Sequence, residues 1–176
     1  MKEKFQTLFF VKSSLISLYL ALTIPIPYIS IEKFKNVSII IFILGFYLIV
    51  KLTSDYVETC DNKISYQTSF ISKIFGRNNW VILWKDIKLI KSLPTSQGSK
   101  VYYFTTSKGN NYLIPQRLED LEKFLLIISR KTGISVEDIS YISPLWTYKL
   151  LTILSGLMII GEIFAFNRQM LSMLNL

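Results

Sequence analysis

Five basic residues lie in one short stretch of the chain, beside two tryptophans. They are Arg77, Lys85, Lys88, Lys91 and Lys100, and the tryptophans are Trp80 and Trp84. Cationic side chains attract phosphate or carboxylate groups, and an aromatic ring suits the boundary between water and lipid. The stretch therefore predicts a contact with anionic membrane lipid or with an acidic protein. The alternative is that these lysines only solvate a surface beside core tryptophans.

A single acidic residue interrupts the last apolar run of the chain. Glu162 is the only charged residue between positions 150 and 166. An ionisable side chain inside a membrane is costly, so its presence there usually marks a functional position. Two interpretations stay open. Glu162 either lies near the membrane surface, where Asn167 and Arg168 follow it, or acts as a polar group within the bilayer.

The rest of the sequence excludes several kinds of chemistry. There is no histidine and only one cysteine, Cys60. A disulfide within the chain, a Cys/His zinc site and catalysis by imidazole are therefore ruled out. Glycines in phosphate-loop spacing are also missing. We predict no catalytic, cofactor-binding or metal-binding residue and a protein that is not an enzyme. The lack of an arginine-rich block argues against nucleic acid as a partner.

Three apolar runs must position these residues. Hydrophobic residues make up 51% of the chain and charged residues 18%, against about a quarter charged in soluble domains. Runs at about 13–31 and 37–53 predict a transmembrane hairpin within residues 1–54. A third helix and a short tail are expected over 145–176. A cleaved signal peptide is the alternative for the first run, and a re-entrant segment for the second.

The distribution of lysines predicts the orientation. Lys2, Lys4 and Lys12 precede the first run, whereas the loop after it carries Lys33 and Lys35. Because cytoplasmic segments are enriched in basic residues, the N-terminus and the central domain are predicted on the cytoplasmic or stromal side. The membrane would be the plasma (inner) membrane or a thylakoid membrane.

Residues 55–142 read as a separate α+β domain. Alternating apolar residues predict a meander of six or seven strands, including a strand over 63–71 and one over 80–85. The period then changes to that of an amphipathic helix from about 117 to 131, ended by Gly133. The predicted buried side of this helix is Leu118, Leu121, Phe124, Leu125 and Ile128.

This order of strands and helix resembles a known class of domain. The cues are the segments 62–66 (NKISY), 84–87 (WKDI) with Ile90, and 112–115 (YLIP) before the helix. They resemble the membrane-anchored bacterial pleckstrin-homology-like (PH-like) proteins. That resemblance implies an antiparallel β-barrel or sandwich closed by one C-terminal helix. The hairpin followed by such a domain is also similar to the photosystem I assembly protein family of cyanobacteria and plastids, in which the third apolar run has no counterpart.

These observations together lead to one expected function and one alternative. We expect a non-enzymatic integral membrane protein whose PH-like domain binds a protein partner or the lipid surface. It would act as an assembly, scaffolding or regulatory factor for a membrane complex, in line with the photosystem resemblance. The alternative is a transport or membrane-complex subunit in which the membrane helices act and Glu162 works in the bilayer.

Overall fold

The computed structural model describes the backbone of residues 2–174 and the side chains of residues 2–168. Met1 and the last two residues of the predicted tail lie outside this range. The helices are α1 (Phe9–Thr23), α2 (Pro25–Ile29), α3 (Glu32–Leu52), α4 (Phe70–Ile74), α5 (Leu121–Thr132) and α6 (Leu145–Leu174). The strands are β1 (Glu3–Gln6), β2 (Tyr56–Thr59), β3 (Lys63–Gln67), β4 (Trp80–Leu83), β5 (Ile87–Pro94), β6 (Lys100–Thr106) and β7 (Asn111–Leu113).

The chain divides into two compact units. Met1–Phe9 and Lys51–Pro144 form the first, which we call the soluble unit. Phe10–Val50 and Leu145–Leu176 form the second, the helical unit. The predicted mixed α+β class is confirmed, since the chain combines antiparallel sheets with α-helices, some of which are long and apolar.

Two antiparallel sheets make up the soluble unit. The first has the order β1-β2-β3-β4 and the second the order β5-β6-β7. A 3-10 turn at Trp84–Asp86 separates β4 from β5. Among the described residues the strands form two separate sheets and no closed barrel, so of the predicted barrel or sandwich the barrel is not found. The turn ends the ladder because its residues leave the extended conformation that pairing requires.

Both sheets and α5 contribute to one hydrophobic core. Val57 and Ile64 of the first sheet, Phe104 of the second and Phe124 of α5 are each 0% exposed. Every member of the predicted buried side of the helix is buried. The helix itself begins at Leu121 instead of 117. Gly133 ends it in the left-handed conformation, with φ at 72°, as a C-cap glycine should.

The N-terminal residues are part of this core, which the sequence did not predict. Residues 1–54 were all assigned to the hairpin, yet Glu3–Gln6 pairs with β2, and Phe5 lies opposite Val57. The Phe5 side chain is 4% exposed, and its ring centroid lies 5.3 Å from that of Phe124. The helical hairpin is therefore inserted between the first and second strands of a sheet.

The predicted strand over 63–71 is too long. β3 ends at Gln67, and the chain turns into the short helix α4. The Ser69 side chain accepts a hydrogen bond of 3.1 Å from the Ser72 backbone N–H. A serine cap of this kind satisfies one of the free amides at a helix start, so a helix forms where the apolar alternation suggested a strand.

Among the described residues, three helices are long and apolar enough to span a membrane. They are Phe9–Ile29, Glu32–Leu52 and Leu145–Arg168. The first is interrupted at Ile24, just before Pro25, because proline lacks the N–H that continues a helix. The second begins at Glu32, earlier than the predicted 37. Its 21 residues reach about 31 Å, enough to cross the hydrocarbon core.

Specific side chains join these helices. The hydroxyls of Ser17 on α1 and Ser155 on α6 are hydrogen-bonded at 2.6 Å. The Tyr19 hydroxyl donates to the Phe42 carbonyl of α3 at 2.6 Å. Small residues and hydroxyl groups are common where membrane helices approach closely. Ser155 is such a residue on α6, and its hydroxyl meets α1.

Candidate functional site

The predicted basic residues do not form one patch. The register of β5 with β6 places Lys91 opposite Tyr103 and Pro94 opposite Lys100. Since side chains alternate between the two faces of a strand, Lys91 and Lys100 lie on opposite faces of the sheet. Lys88 lies at a break in the register between Ile87 and Leu89. Lys85 belongs to the 3-10 turn, and all four lysines are exposed.

The tryptophans belong to the interior of the soluble unit. Trp84 is 5% exposed, and its indole N–H donates to the Cys60 carbonyl at 2.8 Å. Trp80 is partly buried and packs against the core. It lies edge-on to Phe104 with ring centroids 6.0 Å apart. The predicted role of an aromatic at a lipid boundary is therefore taken by neither tryptophan.

Arg77 is engaged by an acid that the sequence did not single out. Its Nη1 lies 3.0 Å from Oδ2 of Asp55, whose side chain is 4% exposed, whereas half of the Arg77 side chain (51%) remains exposed. A buried carboxylate is tolerated only when it is paired and hydrogen-bonded. Arg77 is thus first a partner of Asp55, with its outer part still open to solvent.

The Asp55 carboxylate is surrounded by hydrogen-bond donors. Oδ1 accepts from the Ser69 backbone N–H at 3.0 Å and from the Ser72 hydroxyl at 2.8 Å. Oδ2 accepts from the Tyr66 hydroxyl at 3.1 Å as well as from Arg77. We call these five residues the Asp55 cluster. A carboxylate with two donors on each oxygen has its lone pairs occupied, so this arrangement fits a structural clamp better than a catalytic base.

The cluster changes the acidity of one of its members. Burial, together with the negative charge of Asp55, raises the pKa of Tyr66 from 10.0 to about 12. Ionising this phenol would place a second negative charge beside the carboxylate in a poorly solvated position. Tyr66 therefore keeps its proton, and its hydrogen bond to Asp55, further into the alkaline pH range than an exposed tyrosine would.

The Asp55 cluster lies where the chain enters and leaves the hairpin. The Thr7 hydroxyl donates to the Asp55 carbonyl at 3.0 Å. Thr7 precedes the start of α1 by two residues, and Asp55 follows the end of α3 by three. The Leu8 N–H also donates to the Arg117 carbonyl at 2.8 Å. Thr7, Leu8 and Asp55, which flank the hairpin in the chain, are thus hydrogen-bonded within the soluble unit. The seryl cap 69–72, visible in the sequence, was the available signal for this site.

The outer face of the second sheet is apolar and exposed. Leu89 and Leu113 are each 48% exposed and Leu93 is 41% exposed. The register aligns Lys91, Tyr103 and Leu113 across the three strands. We call this the outer sheet face. Exposed apolar side chains grouped on one face in this way often mark a site of protein interaction.

Glu162 lies within the helical unit. It follows Ser155 by seven residues on α6, so both side chains lie on the same side of the helix. Its Oε2 is buried and has no hydrogen-bond partner among the residues that the structure describes.

No group of three or more His, Cys, Asp or Glu residues within the described range 2–174 could hold a metal ion. The chain matches no protein-family model. It is 30% identical over 154 residues to "Uncharacterized protein slr0269" of Synechocystis sp. (strain ATCC 27184 / PCC 6803 / Kazusa). The alignment covers 84% of this chain and 77% of that protein.

Proposed function

The chain belongs to the family of the Synechocystis protein slr0269, and we propose that it is a non-enzymatic integral membrane protein whose soluble unit binds a protein partner. The outer sheet face carries this proposal. Leu89, Leu93 and Leu113 are too exposed to belong to the core, and Lys91 lies among them. A partner with an apolar centre and acidic groups at its rim fits this surface.

Charge supports the same kind of partner. The chain has a formal net charge of +8, and Lys85, Lys88 and Lys91 are exposed along one segment. Charges of this sign guide an acidic partner to the surface and favour it over basic competitors. We therefore propose an assembly, scaffolding or regulatory role within a membrane complex.

We assign the soluble unit to the PH-like class as part of this proposal. The soluble unit has a four-stranded sheet, then a three-stranded sheet, then a helix packed on the shared core. This order of elements agrees with the order in PH-like domains. In this assignment the hairpin interrupts the first sheet after β1. The lysine distribution favours a cytoplasmic or stromal location of this unit, on a plasma or thylakoid membrane. Other PH-like domains vary widely in what they bind, so the partner must be identified by its contact surface.

Site-specific photo-crosslinking in native membranes tests the proposal. A photoreactive amino acid at Leu113 samples the outer sheet face, and one at Leu126, 54% exposed on α5, is the matched control. We expect Leu113, and not Leu126, to give a discrete crosslinked product, which the variant Lys91→Glu weakens. Equal products from both positions, or none from Leu113, would contradict the proposal.

A second function is favoured by one observation, the unpartnered oxygen of Glu162. In this alternative the chain is a transport or membrane-complex subunit, and Glu162 binds a proton or cation among the helices. Proton flux into proteoliposomes, followed with a trapped pH-sensitive dye, tests it. Glu162→Gln should abolish such flux while leaving the Leu113 crosslink intact. Flux that is absent from the unmodified protein removes this alternative.

A further inference from the structure

The short helix α4 presents an apolar surface that the soluble unit does not cover. Phe70 is 77% exposed, Ile74 67% and Phe75 66%. Phe70 and Ile74 are one helical turn apart and therefore lie on the same side. The opposite side carries Ser72, which is 0% exposed. The helix is thus fixed by its polar side and leaves its apolar side open.

The Asp55 cluster determines where this surface is held. Asp55 binds α4 at both the Ser69 N–H and the Ser72 hydroxyl. The chain leaves α3 in a tight turn, in which the Ser54 N–H donates to the Lys51 carbonyl at 3.2 Å. Only Thr53 and Ser54 lie between Leu52 and Asp55, so the Cα atoms of Leu52 and Asp55 are at most about 11 Å apart. All of these residues belong to the soluble unit, and α4 is therefore tied to the end of α3.

We propose that Phe70, Ile74 and Phe75 insert into the interfacial layer of the membrane that α3 crosses. This proposal rests on the proposed membrane location of α3 and is independent of the partner bound at the outer sheet face. The interfacial layer lies where a spanning helix ends, and Lys51 is the basic residue in the last turn of α3. Apolar side chains of a short amphipathic segment are buried within this layer, several ångströms below the headgroups.

Charge also favours lipid as the occupant. Lys73 lies between the apolar residues and is exposed, as is the adjacent Arg77. Basic residues beside an apolar wedge interact with anionic headgroups while their aliphatic stems remain in the apolar layer. The Asp55 cluster would then hold this wedge next to the residues that follow α3.

Environment-sensitive labels on the full chain test this proposal. In a Cys60→Ser background, single substitutions Ile74→Cys, Leu126→Cys and Ile40→Cys receive a nitrobenzoxadiazole dye. Leu126 is the exposed control on α5, and Ile40, 56% exposed in the middle of α3, reports whether that helix is in lipid. The protein is reconstituted alone into vesicles of phosphatidylcholine with phosphatidylglycerol, at low protein density.

We expect the dye at position 74 to be shifted to the blue and quenched several-fold less by aqueous iodide than the dye at 126. Adding Phe70→Ser and Phe75→Ser should restore iodide quenching at 74. If iodide quenches the dye at 74 as strongly as the dye at 126 while the dye at 40 is protected, residues 70–75 do not insert into the membrane. The membrane location of α3 would then still stand. If the dye at 74 is protected from iodide only at high protein density, a second copy of the chain covers this surface and the lipid proposal is overturned. Iodide quenching at 40 would overturn both proposals.

Discussion

The guanidinium of Arg77 donates to the buried carboxylate of Asp55 at 3.0 Å, across 22 positions of the chain. This pair joins the segment after α3 to the segment after α4. Tyr66, Ser69 and Ser72 complete the hydrogen bonding of the same carboxylate. The soluble unit is therefore fastened close to its connection with the hairpin by polar contacts, in addition to its hydrophobic core.

Asp55→Asn should destabilise the soluble unit. The amide nitrogen of asparagine cannot accept a hydrogen bond, so some of the donors lose their acceptor. The change also removes the negative charge that pairs with Arg77. Arg77 is half exposed, so water replaces part of the loss, and we expect a cost of about 2 kcal/mol. Thermal unfolding of the full chain in detergent, followed by near-ultraviolet circular dichroism, measures it. Asp138→Asn, the same change at an exposed side chain, is the control and should have little effect. Equal shifts in the two variants would argue against the clamp.

The stability of the soluble unit should fall at high pH because of Tyr66. Its pKa is about 12 in the folded protein, against the ordinary tyrosine value of 10.0 expected in the unfolded chain. The folded state therefore holds the proton more tightly than the unfolded state does. The resulting stabilisation is fully present below pH 10.0 and is lost as the pH rises to about 12. Denaturant unfolding of the wild type and Tyr66→Phe at several pH values isolates this effect. The phenylalanine variant should show a smaller loss between those limits, and identical profiles would contradict the prediction.

Gly45→Ala should weaken packing of the hairpin. A Cβ at this position would lie 2.5 Å from the Tyr19 hydroxyl oxygen and 3.0 Å from Cζ. The tyrosine ring must shift, which strains its hydrogen bond to the Phe42 carbonyl, at a cost of about 1 kcal/mol. Gly156→Ala is a matched control, because nothing lies within 4 Å of a Cβ there. Unfolding in increasing mole fractions of dodecyl sulfate compares them. Similar midpoints for the two variants would contradict the contact between Gly45 and Tyr19.

Phe5→Ala should unfold the soluble unit more readily than truncation of the exposed Leu126 on α5 to alanine. Phe5 is buried against Phe124, whereas Leu126 is 54% exposed. Removing a buried phenylalanine costs about 3–5 kcal/mol. Limited proteolysis of residues 51–144 in the full chain measures the difference, and Leu126→Ala should be cut at the wild-type rate. Wild-type resistance of Phe5→Ala would show that β1 does not contribute to the fold.

The sequence by itself determined the features that depend on local periodicity. Apolar runs of sufficient length predicted the three described helices that could span a membrane, because crossing the hydrocarbon core takes about 20 consecutive apolar residues. The spacing of Leu121, Phe124 and Ile128 predicted the buried side of α5, because that side faces the core once in each turn. Gly133 marked its end through a backbone conformation that glycine adopts without strain.

Only the tertiary structure decided which distant residues meet. β1 has one buried apolar residue, Phe5, and its four residues are too few for a recognisable pattern. Thr7 and Asp55 are 48 positions apart, with the whole hairpin between them. The sequence treated Arg77, Lys91 and Lys100 alike, whereas the fold pairs the first with Asp55 and the register separates the other two onto opposite faces. Such relationships depend on the path of the chain, which neighbouring side chains do not encode.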